Sequence, residues 1–369
     1  MNLIQPDSAA ALAAALAQAV QDRQTIEAGG NFTKIRAGGP RGRAQVNLST
    51  AKLNRVLNYE PRDLTISVEA GMPFAELSAL LAKNQQMIPL DPPFGANATI
   101  GGVVATNSSG PRRRWFGTAR DLIIGMQYAT MEGKLVQSGG MVVKNVAGLD
   151  TGKLHIGALG TLGVITVLNF KLLPMPVGVR TFAKEFATAA EAIAERDRIL
   201  KSTLQPMALD LLNPAAAQAL GLNGFVLLLE AGGQPNVLDR YAKELPGFAV
   251  ADQALWPRIC NFTETFLAAY PQGCVVRISS KFTEAAAVLK AFDAPMIMRA
   301  GNGVAYAYCA TPPSAMPALK TVIEYAPEPR PAGLTLWPAP AGDFDLMRRV
   351  KDMMDPHHLL NPGRLYGKL

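Results

Sequence analysis

The residues with the greatest chemical capacity in this chain lie between Asp91 and Pro174, and the densest run within that stretch is Pro92 to Pro111. Small residues dominate this run. Gly95, Gly101, Gly102 and Gly110 let a backbone approach a ligand closely, and successive amide N–H groups in such turns form nests suited to a diphosphate. Thr99, Thr106, Asn107, Ser108 and Ser109 add hydroxyl and amide groups. A glycine- and serine-rich run also suits a flexible loop, but Ile100, Val103 and Val104 interrupt it, and a plain linker would not bury them.

A second cluster comprises Lys144 to Asp150 and Ile156 to Thr166. Its glycines Gly157, Gly160 and Gly163 recur every third residue, which departs from the G-x-G-x-x-G dinucleotide fingerprint, and no P-loop lysine follows a glycine run. A third candidate is the turn Gly29-Gly30-Asn31 after the strand-like Thr25 to Ala28, a strand-to-glycine junction of the kind that cradles phosphate.

Single side chains are more ambiguous. Arg277, within the strand-like Val275 to Ser279, either binds a carboxylate bidentately beside a cofactor or points outward from an alternating strand. His358 and Arg364 either place positive charge near a cofactor or anchor a terminus. Arg112-Arg113-Arg114 beside Trp115 reads equally as a phosphate site, a docking patch or a solvated turn. His155, His357 and His358 are the only histidines, and Cys260, Cys274 and Cys309 form neither a disulfide framework nor the close pairs zinc requires, so no metal site is expected.

The elements that must position these groups follow from periodicity. Leu12, Leu16 and Val20 define one face of a helix reaching about Gln21, with Asp7 able to cap it. Leu64, Ile66 and Val68 alternate with polar residues, predicting a half-buried strand that Gly71 ends, and Phe74, Leu77 and Leu81 space as a helix face. Leu122 to Gln137 reads as two strands joined at Glu132-Gly133-Lys134, and Gly163 to Leu173 as another. Pro174-Met175-Pro176 cannot continue a central strand or a helix and marks a domain boundary. Beyond it, strand-like Val179 to Phe186, helical Thr188 to Leu200, strand-like Met207 to Leu212, apolar Phe225 to Glu230 and the Val275 to Ser279 strand predict a second layered unit to about Ala326. The proline-rich 327–340 reads as a linker.

Composition narrows the function classes. An apolar content of 49% over 369 residues supports two or three globular domains, not one. No apolar run is long enough to span a bilayer, and the alanine-rich start reads as a helix and not as a secretory leader. With few cysteines, a reducing cytoplasm is the expected compartment. The formal charge of +7 is scattered and lacks the basic stripe of a nucleic-acid binder, which fits an anionic cofactor, substrate or acidic partner better.

The ordered islands Thr99-Ile100-Gly101-Gly102, Ala105-Thr106-Asn107, Gly117, Arg120-Asp121, Lys144-Asn145, Gly148-Leu149-Asp150, Gly160 to Thr166 and Asn361-Pro362-Gly363 resemble the FAD-binding PCMH-type flavoproteins of the vanillyl-alcohol oxidase superfamily. Gly110-Pro111-Arg112-Arg113, followed by Trp115 and Gly117, is most similar to the smaller FAD-binding subunits of bacterial glycolate oxidases. The resemblance implies an α+β fold: a two-subdomain FAD-binding domain over residues 1–175, an α+β cap over 176–326, and a tail, 327–369, returning to the first domain. It puts the first phosphate loop on Gly29, Gly30, Asn31, Phe32, Thr33 and Lys34, and the second on Thr99 to Gly110, including Ile100, Gly101, Gly102, Thr106, Asn107 and Ser108. The flavin ring would lie near Gly110 to Thr118, including Gly117. Val146, Gly148, Asp150, Gly160, Gly163, Val164 and Ile165 would line the ribityl and adenine side.

Covalent members of this family carry a linking histidine in the first loop, where this chain has Asn31, Phe32 and Thr33, so the implied FAD is non-covalent. The related hydroxy-acid dehydrogenases carry a histidine-rich metal and substrate cluster that three histidines cannot reproduce. The implied activity is oxidation of glycolate or a similar 2-hydroxy acid to the 2-oxo acid. The implied partners are a larger flavoprotein subunit and an iron–sulfur subunit, through which alone the chain would meet the inner membrane. A self-sufficient 2-hydroxy-acid dehydrogenase and a non-catalytic flavin-containing assembly subunit are the alternatives.

Overall fold

A computed structural model describes residues 2–39, 44–141 and 150–369. The fold is α+β, and the chain divides into two compact units. The first comprises Met1–Ser109, Thr118–Met175 and Ala339–Leu369, and the second Gly110–Gly117 and Pro176–Pro338.

The first unit opens with β1 (Asn2–Ile4) and α1 (Ala9–Gln21), whose buried face is Leu12, Ala13, Leu16 and Ala19. Asp7 is not its cap: Ser8, in extended backbone one residue before the helix, accepts a hydrogen bond from the Ala11 N–H on its hydroxyl. The parallel strands β2 (Ile26–Gly29) and β3 (Val46–Ser49) complete a sheet of order β1-β3-β2, and α1 shares a core with it.

A five-stranded antiparallel sheet follows, in the order β4 (Val56–Glu60), β5 (Thr65–Glu69), Val164–Lys171, Ile123–Ala129 and Leu135–Gly139. β5 is buried at all five positions, so both of its faces are covered and not one only. Its Glu69 is accommodated by Arg55, whose Nη2 lies 2.8 Å from the carboxylate and whose backbone N–H also donates to it. The expected hairpin at Glu132-Gly133-Lys134 joins Ile123–Ala129 to Leu135–Gly139. Helices α2 (Phe74–Ala82) and α3 (Ile100–Ala105) share a second apolar core with this sheet.

The second unit is an eight-stranded sheet with every neighbouring pair antiparallel. Its order is Ala249–Val250, Gly178–Phe186, Phe225–Gly233, Ala208–Leu212, Met296–Arg299, Val304–Cys309, Cys274–Ser279 and Lys320–Tyr325. Residues of the helices Ala189–Lys201 and Pro235–Glu244 join its apolar core. Thr188 starts the first of these through a capping box with Glu191. The proline-rich stretch is less of a linker than its composition suggests. Leu336 is buried in the core, its carbonyl accepts from the Ile323 N–H, and Leu334 and Trp337 pack beside it.

Candidate functional site

β2 ends at Gly29 and runs into the turn Gly30-Asn31-Phe32-Thr33, where Phe32 adopts a φ of 53°. The turn is held from behind: the Ser49 hydroxyl donates to the Gly30 carbonyl at 2.9 Å, and the Thr50 N–H donates to the Gly29 carbonyl at 2.8 Å. The Asn31 amide reaches the Asn97 carbonyl. Glycine is required at position 30, since a Cβ there would lie 2.0 Å from Thr99 Oγ1.

Thr99 caps α3 by accepting from the Gly102 N–H, and the Thr106 hydroxyl donates back to the Gly102 carbonyl at 2.8 Å. The C-terminal segment closes the other side. Asn361 Nδ2 donates to the carbonyls of Ala28, Leu159 and Gly160, while its Oδ1 accepts from the Ala28 N–H. One pocket results, lined by Gly29, Gly30, Asn31, Phe32, Thr33, Thr99, Gly102, Thr106 and Gly160, together with Glu27, Lys34, Asn361 and Arg364.

The other expected site residues that the structure describes do not line this pocket. Ile100 is fully buried, and Gly101 presses α3 against the end of β5, where a Cβ would meet the Ala70 carbonyl at 2.7 Å. Asn107 and Ser108 follow α3, with the Ser108 hydroxyl 2.8 Å from that of Thr106. Gly163 abuts the Ala129 carbonyl and the His155 ring, while Val164 and Ile165 are buried in the sheet. Asp150 is exposed, accepting from Ser138 and pairing with Lys153. Thr118 caps a short helix through reciprocal bonds with Asp121. Val146 and Gly148 lie outside the described residues.

Gly110 and Gly117 belong to the second unit and bound its segment Gly110–Gly117, both at positive φ. Within that segment Arg112 forms a bidentate pair with Glu230 at 2.8 and 2.9 Å, and Arg114 donates to the Pro206 carbonyl. These two arginines of the triple therefore serve as internal braces. Arg277 is half-buried and paired with Glu324 at 3.1 Å, on a sheet that also holds the Asp210–Arg299 ion pair and the buried Tyr308. Burial pushes the Glu324 carboxyl up, with Arg277 and Arg299 opposing it, and pushes the Tyr308 phenol up to about 12.

Of the tail residues, Arg364 lines the pocket and His358 does not. His358 is paired with Asp352 at the surface, and Arg364 donates to the Ile35 and Lys34 carbonyls. Two further pocket residues were marked in sequence by the resemblance alone, Lys34 as the end of the first phosphate loop and Asn361 within its Asn-Pro-Gly island. Burial lowers the Lys34 ammonium to about 8.

The pocket fits an FAD diphosphate on its own terms, with glycine walls, three threonine hydroxyls and a buried ammonium for which no partner is found among the described residues. A glycine-walled pocket beside a parallel three-stranded sheet, in a two-unit α+β chain, agrees with the PCMH-type FAD-binding fold that the sequence resemblance implies. Residues 2–139 match the FAD binding domain family. The chain is 30% identical over 377 residues to the glycolate oxidase subunit GlcE of Escherichia coli (strain K12), spanning 98% of this chain and 99% of that protein. It is 23% identical over 373 residues to the glycolate oxidase subunit GlcD of Bacillus subtilis (strain 168), covering 86% and 78% respectively. Among solved structures, an alkyldihydroxyacetonephosphate synthase superposes with a TM-score of 0.71 at 19% identity, over 98% of this chain and 75% of that one, a likeness of fold. The chain belongs to the FAD-dependent oxidoreductase family that includes the glycolate oxidase subunit GlcE, and FAD is its cofactor.

Proposed function

We propose that this chain is the FAD-binding subunit of a glycolate oxidase assembly, which oxidises glycolate or a similar 2-hydroxy acid to the 2-oxo acid. The observation that carries this reading is the end-to-end match to the GlcE subunit, 98% of one chain against 99% of the other. Bound FAD supplies the two-electron acceptor. The chain's own residues hold it, with Gly29 to Thr33 and Thr99 to Thr106 shaping the pocket and Asn361 closing it. We place the dinucleotide on the first unit, whose returning tail is Ala339–Leu369 and not the expected 327–369, and assign the second unit, which runs through Pro176–Pro338 and not only 176–326, as the cap. The ribityl and adenine side of the cofactor is then assigned to the pocket wall at Gly160.

The larger flavoprotein subunit is the proposed site of the main chemistry. In support, Arg277, the carboxylate ligand expected here, is already engaged by Glu324. Electrons would leave through an iron–sulfur subunit, because three dispersed cysteines cannot hold a cluster on this polypeptide. Among the described residues no helix is long and apolar enough to cross a membrane, and we assign the chain to the cytoplasm, meeting the inner membrane through its partners.

The test is purification through a tag on this chain, identification of the co-purifying subunits, and glycolate-driven bleaching of the flavin band. Bleaching in the assembly that is much slower in the isolated, FAD-loaded chain is expected. Equal rates would establish a self-sufficient dehydrogenase, in which Arg277→Ala keeps FAD and loses bleaching. A flavin that no donor reduces even in the full assembly would leave the chain a structural subunit.

A further inference from the structure

Lys34 stands where the first glycine turn meets the pocket, and its side chain is more than nine-tenths buried, at 6% exposed. Among the described residues its Nζ has no hydrogen-bond partner. Its backbone is fixed: the carbonyl accepts from the Ala37 N–H at 3.0 Å and from Arg364 Nη2 at 3.4 Å. A buried ammonium without an acceptor is unfavourable in water-free surroundings, so a fold that holds one beside an open pocket is poised for an anion.

The groups that share the pocket define which anion. Glu27 from β2 and Arg364 from the C-terminal segment are the other ionisable side chains of its described lining. The α3 side contributes Thr99, Gly102, Ala105 and Thr106, none of which is ionisable, and the remaining wall is Leu159, Gly160 and Asn361. Burial alone accounts for the depressed ammonium, with no carboxylate restoring it. Glycines that admit a backbone, the hydroxyls of Thr33 and Thr99, and an ammonium without a partner among the described residues are a donor set for a diphosphate.

We propose that the Lys34 ammonium pairs with the diphosphate of FAD, and that FAD binding therefore takes up a proton at mildly alkaline pH. The inference rests on FAD occupying this pocket and is independent of the substrate. The sign follows from linkage. In the empty pocket Lys34 loses its proton above about 8, and an anion beside it restores the charge, so the affinity for FAD falls as pH rises past that value.

The experiment titrates FAD into apo-protein from about pH 7 to about pH 9.5 and measures proton uptake calorimetrically from the buffer dependence of the binding heat. For the wild type, Kd should rise by roughly tenfold or more above about pH 8, with a large fraction of one proton taken up per FAD at about pH 8.5. Lys34→Met should bind weakly at every pH, with the slope lost. Lys34→Arg, which keeps its charge throughout, should bind with little dependence on pH. Wild-type protein that binds FAD without proton uptake overturns the proposal whatever the variants do. So does a Lys34→Met protein with wild-type affinity and slope. Failure of the wild type to bind FAD at any pH would instead remove the cofactor site itself, a distinguishable result.

Discussion

Lys351 and Asp355 form an ion pair sealed inside the first unit, with Nζ 2.6 Å from Oδ2 and each side chain 1% exposed. Lys351 also donates to the carbonyls of Thr161 and Leu360, and Asp355 accepts from the Leu359 and Leu360 N–H groups. Both charges are thus fully committed. The pair ties the helix Phe344–Met354 to the turn at Thr161 and to the strand-like tail beyond it. Asp355→Leu leaves an uncompensated buried ammonium and is expected to destabilise the protein by about 3–5 kcal/mol, whereas combining it with Lys351→Met should cost much less than the sum of the two single substitutions. Urea denaturation of the two single variants and the double variant measures this. Additive losses would show that the pair is not coupled.

Asn361 performs a related task at the pocket itself. It has a φ of 44°, where asparagine is tolerated better than most side chains, and its amide bridges Ala28 on β2 to Leu159 and Gly160 on the opposite wall. Asn361→Ala loses these bonds, and Asn361→Asp keeps an acceptor but cannot donate to three carbonyls. Each is expected to weaken FAD binding by roughly tenfold or more, at about 1–2 kcal/mol per unmet buried group. Flavin retained per protein after gel filtration is the readout, and wild-type retention in Asn361→Asp would refute the clamp.

Gly30 tests the close approach of the two loops. Alanine there would put a methyl 2.0 Å from Thr99 Oγ1, and the displaced atoms belong to a residue that caps α3. Gly30→Ala is expected to lose most of its flavin and about 1–3 kcal/mol of stability. Because the obstruction is the Thr99 side chain, adding Thr99→Gly should recover part of the stability. A Gly30→Ala protein that purifies as yellow as the wild type would mean that the loops separate easily.

How much of this was legible in the sequence depended on whether a signal was local. The α1 face and the hairpin at Glu132-Gly133-Lys134 were visible because periods of 3.6 and 2 need only neighbouring residues. The buried state of β5 was not, because an alternating pattern records one face and cannot show that a second layer covers the other. Gly101 and Gly102 look identical in sequence, yet only Gly102 lines the pocket, since rotation along α3 turns its neighbour toward Ala70. The partner of Arg277 was hidden for a similar reason: Glu324 sits on a strand paired across a register shift at Val275/Val276. The resemblance set Lys34 at the end of the first phosphate loop, but its burial was not visible. Arg364, which grips its carbonyl, is 330 positions away in the chain.

His155 supplies a pH test of the same unit. It is 2% exposed beside the Tyr128 ring at 4.0 Å between centroids, and its Nε2 has no partner among the described residues. Burial lowers its pKa to about 4, against an ordinary value of 6.5. Between those values the unfolded chain binds more protons than the folded one, so stability is complete above 6.5 and is lost as the pH falls toward 4. Going from about pH 7 to about pH 5, His155 should cost about 2 kcal/mol. Carboxylates also titrate in acid, so the measurement is the difference between wild type and His155→Phe, which keeps a ring against Tyr128 and cannot take up the proton. Urea unfolding at the two pH values should show the wild type losing more stability than the variant. Equal losses would mean that water reaches the imidazole in the folded state and leaves its proton affinity near that of the unfolded chain.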